Sequence, residues 1–73
     1  MKQYQVVSID RSKKRCEYGY LYFVTIHDRH ARYEPIFKYS YYMNNKKSLV
    51  KVLRESGMEV SDHVKNGGKL RLY

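Results

Sequence analysis

Three groups of side chains in this 73-residue chain have residue types and spacings that could do chemistry. The first is Tyr18, Tyr20 and Tyr22, which alternate through Arg15-Cys16-Glu17-Tyr18-Gly19-Tyr20-Leu21-Tyr22-Phe23-Val24. In an extended strand a period of two puts these three rings on one face and Gly19, Leu21 and Phe23 on the other. Rings so placed can stack nucleic-acid bases, at about 1–3 kcal/mol per base. The residues leave a second reading open, in which a small barrel short of leucine and isoleucine uses its tyrosines as core or rim, with the hydroxyls reaching water.

The second group is cationic. Arg11, Lys13, Lys14 and Arg15 fall within five residues, and Lys47, Lys51 and Arg54 follow i, i+4, i+7 spacing. Clusters of this kind neutralise phosphates, so that affinity falls steeply with salt. The bland counterpart is a solvated turn of like charges and an ordinary polar helix face. Lys46 and Lys47 stand at the expected start of a helix, where the dipole favours anions; an anion bound there would account for them, as would the small cost of exposed lysines.

The third group is histidine. His27 and His30 bracket Asp28, and His63 follows Asp62. Two histidines at i, i+3 with His63 as a third ligand would be a candidate metal set, but nothing in the spacing fixes a geometry. A small ribonuclease would need a base such as His27 and a cation such as Arg29. No nucleophile motif accompanies them, and Cys16, alone on a strand, reads as a small hydrophobe. The expectation is a non-enzymatic protein with no metal and no cofactor.

The composition bears on the partner. Lys and Arg number 15 against seven Asp and Glu, a formal charge of +8 with a pI near 9.7, which favours a polyanion. A single cysteine forms no internal disulfide and suits a reducing compartment, so the expected location is the cytoplasm. No apolar run approaches the roughly 20 residues of a membrane span, and no membrane partner is expected. At this length one small basic domain, residues 1–73, is the limit.

The elements that must position these groups read in order. Tyr4–Asp10 is β-branched and gives a strand, and Arg11–Arg15 a basic loop. Cys16–Ile26 gives the strongest strand, and Tyr33–Met43 a third, with Pro35 at its start or at an edge. On that third strand the odd positions Tyr33, Phe37, Tyr39, Tyr41 and Met43 form the more apolar face. Asn44-Asn45 offers a cap, and Leu49, Val52 and Leu53 share a face, placing a helix at about Lys46–Ser56 that stops at Gly57. Asn66-Gly67 between Met58–Val64 and Lys69–Tyr73 signals a hairpin. The rival is a single helical turn capped by Ser61 and ended by Gly67.

The tyrosine segment resembles the first ribonucleoprotein motif of the cold-shock domain. The family reads Lys-Gly-Phe-Gly-Phe-Ile, and Glu17-Tyr18-Gly19-Tyr20-Leu21 keeps aromatic, glycine, aromatic and aliphatic in register, with Cys16 and Glu17 in place of the Lys and Gly. Ile36-Phe37-Lys38-Tyr39 is similar to the family's second motif, Val-Phe-Val-His. Ser56–Val60 and Asn66–Lys69 are similar to its later glycine turns, while Val7-Ser8 stands where the family has Lys-Trp. The resemblance implies an OB-fold that binds single-stranded RNA or DNA, with Tyr18, Tyr20, Phe37 and Tyr39 as stacking residues.

The expected fold is therefore mainly β with one helix, arranged as a small five-stranded OB-like barrel (β-β-β-α-β-β); the alternative is an open three-stranded antiparallel sheet packed on one helix. The expected function is single-stranded nucleic-acid binding of low sequence specificity through Tyr18, Tyr20, Tyr22, Phe37 and Tyr39 with Lys13, Lys14, Arg15, Lys47 and Lys51. The alternative function is that of a small phage or mobile-element protein that binds and inhibits a host nucleic-acid-processing protein, since interfaces also enrich tyrosine and arginine. Exposed strand edges leave a homodimer open.

Overall fold

The computed structural model describes residues 2–33 and 35–71. Strands β1 (Tyr4–Cys16), β2 (Gly19–Asp28) and β3 (Ile36–Met43) form one antiparallel sheet in the order β1-β2-β3. Helix α1 (Lys46–Glu55) and a single helical turn, α2 (Asp62–Lys65), follow. The open-sheet alternative is the arrangement found, and the five-stranded barrel is not. Met58–Val60 adds no strand to a ladder: it makes one isolated parallel bridge, Gln5 with Glu59. The expected last strand begins at Lys69, which is not extended into a ladder, and its final residues Leu72 and Tyr73 lie outside the described residues.

The helix forms where local chemistry directs it. The Asn45 side chain accepts from the Ser48 N–H at 2.8 Å, and Gly57 takes φ +88° just past the end, a conformation that costs glycine little. The hairpin signal at Asn66-Gly67 loses to its rival. Ser61 caps α2 by accepting from the Val64 N–H, and Gly67, at φ +100°, terminates that turn instead of joining two strands.

Leu49, Val50 and Leu53 of α1 are buried against one face of the sheet, together with Val6, Tyr22, Val24, Ile26, Val60 and Val64. Tyr4, Ile9, Tyr20, Phe37, Tyr41 and Met43 close the margins. This is a two-layer structure, helix on sheet. Tyr20, Tyr22, Val24 and Ile26 pair with Met43, Tyr41, Tyr39 and Phe37 respectively. The odd face of β3 is thus the helix side, and it is joined there by the even face of β2.

Two irregularities shape β1. Its register against β2 shifts between Val6 and Ser8 and again between Arg11 and Arg15, the signature of β-bulges. Its outer edge is covered in its first half by bonds from the Val6 N–H to the Glu59 carbonyl (2.9 Å), the Glu59 N–H to the Tyr4 carbonyl (2.9 Å) and the Leu70 N–H to the Val7 carbonyl (3.0 Å). β3 pairs only with β2 among the described residues. At the end away from the β1–β2 turn, the Arg29 guanidinium donates to Gln5, Glu59 and the Lys2 carbonyl, fastening the chain after β2 to β1 and to the segment after α1.

Candidate nucleic-acid interface

β1 and β2 are joined by a two-residue turn, Glu17-Tyr18, and the run Arg11–Arg15, expected as a loop, is the far end of β1 itself. Like charges crowded on an extended arm keep their heads in water, so extended backbone and exposure satisfy the same residues. Gly19 closes the turn at φ +103°, and its α-carbon packs so tightly on β3 that a Cβ there would stand 2.5 Å from the Met43 carbonyl oxygen.

The arm reaches the start of α1. Arg15 donates to the Asn44 side-chain oxygen at 3.3 Å, and Asn44 directly precedes the cap of α1. Arg11, Lys13, Lys14 and Arg15 therefore share one end of the molecule with Lys46 and Lys47, two groups separate in sequence. Glu17 in the turn and Asp10 at the base of the arm are the carboxylates of that arm. Asp28 and Glu59 lie at the opposite end, beside Tyr4 and Gln5. Arg29, paired with Glu59, stands at that end too, so cations occur at both ends and are only more crowded along the arm.

The tyrosines divide into two kinds, contrary to the expected single ladder. Tyr22 is a core residue, 2% exposed, and stacks nothing from solvent. Tyr20 shares its face, and the Arg11 and Arg15 guanidinium carbons stand 4.2 and 5.8 Å from its ring centroid. Such cation–π contacts contribute about 0.5–1 kcal/mol at exposed sites and cover the ring that the expected platform needed open. Tyr18, in the turn, leaves that face altogether. Its ring is 67% exposed and meets Tyr42 edge-to-face at 5.8 Å.

On the helix side of β3, Phe37 is half-buried between Tyr4 at 6.1 Å and Tyr39 at 5.3 Å. Tyr39 is half exposed, and Tyr41 is packed near the core. Partial burial pushes the Tyr41 phenol above its ordinary pKa, and the neighbouring Tyr39 phenol adds to this. Tyr18 and Tyr39 thus remain accessible from the expected set, while Tyr20, Tyr22 and Phe37 are engaged.

The face of the sheet away from α1 carries rings that the expected set lacked. There Phe23 is 42% and Tyr42 54% exposed, with Lys38 on the same face of β3 and exposed Ile36 at the far end of that strand, opposite His27. Extending the alternation past Phe23 supplies the missed signal. Val24 and Ile26 continue the series Tyr20, Tyr22, whereas Thr25 and His27 continue Leu21, Phe23, so the even series is the one to bury.

The expected helix cations Lys47 and Lys51 are both exposed on α1. Of the histidines, His30 gives its backbone N–H to the Asp28 carboxylate at 3.0 Å, and the His63 ring lies 3.3 Å from the Lys69 carbonyl. Among the described residues no three His, Cys, Asp or Glu side chains come together as a metal-binding group. No described helix is long and apolar enough to cross a membrane. No family model matches this chain, and neither a curated protein nor a solved structure matches it.

Proposed function

We propose that this protein is a non-enzymatic binder of single-stranded RNA or DNA with low sequence specificity, acting in a reducing compartment such as the cytoplasm. The observation that carries this reading is the convergence at one end of the sheet. The basic β1 arm, tied through Arg15 to Asn44, ends there at the Tyr18–Tyr42 pair, the most open rings on the free face. Phosphates are held by Lys13, Lys14 and Arg15, and bases rest on Tyr18, Tyr42 and Phe23. Stacking on a ring's face is tolerant of base identity, and phosphate contacts carry no sequence information, which together give low specificity.

Anisotropy titration of a labelled single-stranded oligonucleotide tests this at about 50 and 200 mM salt. Wild type is expected to bind with marked salt dependence. Tyr18→Ala and Tyr42→Ala should each weaken binding by roughly 5- to 160-fold, the equivalent of about 1–3 kcal/mol per base, with unchanged circular dichroism. No binding at the lower salt overturns the reading.

A second reading has its own observation: among the described residues the outer edge of β3 is unpaired, and Ile36 and Tyr42, near the two ends of that strand, are exposed. An edge of that kind accepts a strand from another protein, as a small phage or mobile-element inhibitor of a host nucleic-acid-processing protein would require. It predicts complexes of fixed stoichiometry that survive 200 mM salt.

A further inference from the structure

The outward side of α1 forms a groove with α2, on the helix layer and apart from the open sheet face. Lys47, Ser48, Val50, Lys51, Arg54 and Glu55 line one wall and Lys65 of α2 the other, around about 420 Å³. That is within the volume range of small-molecule sites. Val50, 3% exposed, makes an apolar floor. The lining carries four cations and one carboxylate, Glu55, with the Asp62 carboxylate beside Arg54, and the first turn of α1 holds no acid.

Two features make this more than an ordinary lysine-rich helix. Arg54 is held in place, since it donates to the Val60 carbonyl at 2.8 Å and lies 3.7 Å from the Asp62 carboxylate. A guanidinium has five donors, so that bond leaves others for an anion. Lys47, Lys51 and Arg54 also form a row: seven residues of helix rise about 10 Å. One phosphate or carboxylate cannot touch both ends of such a row, but linked phosphates can.

We propose that the groove between α1 and α2 binds an anion of two or more linked phosphate groups, held by Lys47, Lys51, Arg54 and Lys65. Free polyphosphate compounds and a nucleic-acid backbone share this chemistry. The site does not depend on stacking at the sheet face, and its test separates the two sources.

Inorganic tripolyphosphate is titrated into the ¹⁵N-labelled protein at fixed ionic strength. Saturable shifts are expected at the amides of Ser48, Lys51 and Lys65. The double variant Lys51→Gln/Lys65→Gln, altering two exposed side chains, should bind at least tenfold more weakly while keeping the spectrum of the folded protein. Shifts that fail to saturate, that centre on the β1 arm alone, or that persist at equal affinity in the double variant overturn the proposal. A single-stranded oligonucleotide that displaces tripolyphosphate from these amides identifies the backbone as the source; one that binds without displacing it identifies a free polyphosphate compound.

Discussion

The Arg15 guanidinium reaches the Asn44 side-chain oxygen at 3.3 Å, so the tip of a long β-hairpin is tied to the residue before the helix cap. Through that contact the basic arm and the basic helix start act on one region of solvent. Their charges add within a Debye length of about 8–10 Å.

Neutralising the arm should be read in the salt dependence as well as in affinity. For Lys13→Gln/Lys14→Gln the slope of log affinity against log salt should fall by about 1.4, at about 0.7 per phosphate lost on a single strand. Anisotropy titrations at four or more salt concentrations measure it. An unchanged slope would remove the arm from the interface.

The two kinds of tyrosine should separate in stability. Tyr22→Ala empties a core site and should cost about 3–5 kcal/mol, by analogy with other large aromatic truncations, a large part of what a domain of this size has. Tyr18→Ala should stay within about 0.5 kcal/mol of wild type. Thermal melts followed by circular dichroism decide it, and equal losses for the two would contradict their assignment to opposite environments.

Gly19 should tolerate no side chain. Alanine at φ +103° carries a backbone penalty of about 1–3 kcal/mol, and its Cβ would meet the Met43 carbonyl, which belongs to a strand and cannot swing aside. Gly19→Ala should lower the unfolding free energy from urea titration by that amount or more and loosen the β2–β3 pairing near the turn. Gly57→Ala, with open space around its Cβ, should show the backbone penalty alone.

Stability should fall at acid pH partly through Asp28. The His30 backbone N–H holds its carboxyl below the usual range, and the Gln3 amide assists against partial desolvation. A carboxylate whose folded pKa is depressed stabilises the fold above its unfolded pKa of about 3.9, and this is lost as pH falls through the folded value. Asp28→Asn keeps an acceptor for both donors without titrating. Urea midpoints between pH 6 and 2 should therefore show a shallower acid decline in this variant; an identical decline would assign the effect elsewhere.

Much of the fold is legible in the residues. The three strands follow their β-branched and aromatic runs, and β3 begins immediately after Pro35. The helix expected at Lys46–Ser56 spans Lys46–Glu55, because Asn45 and Gly57 are unambiguous boundaries. Asn66-Gly67 is ambiguous by nature: a residue pair suited to positive φ ends a helical turn as well as it reverses a strand, and only the Ser61 cap breaks the tie. With that hairpin absent, the barrel loses its last two strands.

The site is legible in its residue types and less so in its faces. Accessible Tyr18 and Tyr39 lie within the expected set, as do all the expected cations. Tyr20 and Tyr22 fall on the buried side because Val24 and Ile26 outweigh Thr25 and His27. Phe37 and Tyr39 lie on the helix side, as the apolar odd face of β3 suggested. No local pattern foretells that Arg11 and Arg15 cover Tyr20, or that Arg15 meets Asn44, since both depend on pairing between distant segments.

The extra residue in β1 between Val6 and Ser8 works as a change of sign. Val6 stands opposite Ile26, and after the shift Ile9 stands opposite Val24 and Arg11 opposite Tyr22. Uninterrupted pairing from Val6 would instead set Ser8 against Val24 and Asp10 against Tyr22. The helix side of the arm would then present a carboxylate where it now presents a guanidinium, and the ring of Tyr20 would lose Arg11, the nearer of its two cations. One residue of slack in the first strand thus decides which charge the base of the arm, up to the second shift after Arg11, turns toward its tyrosines.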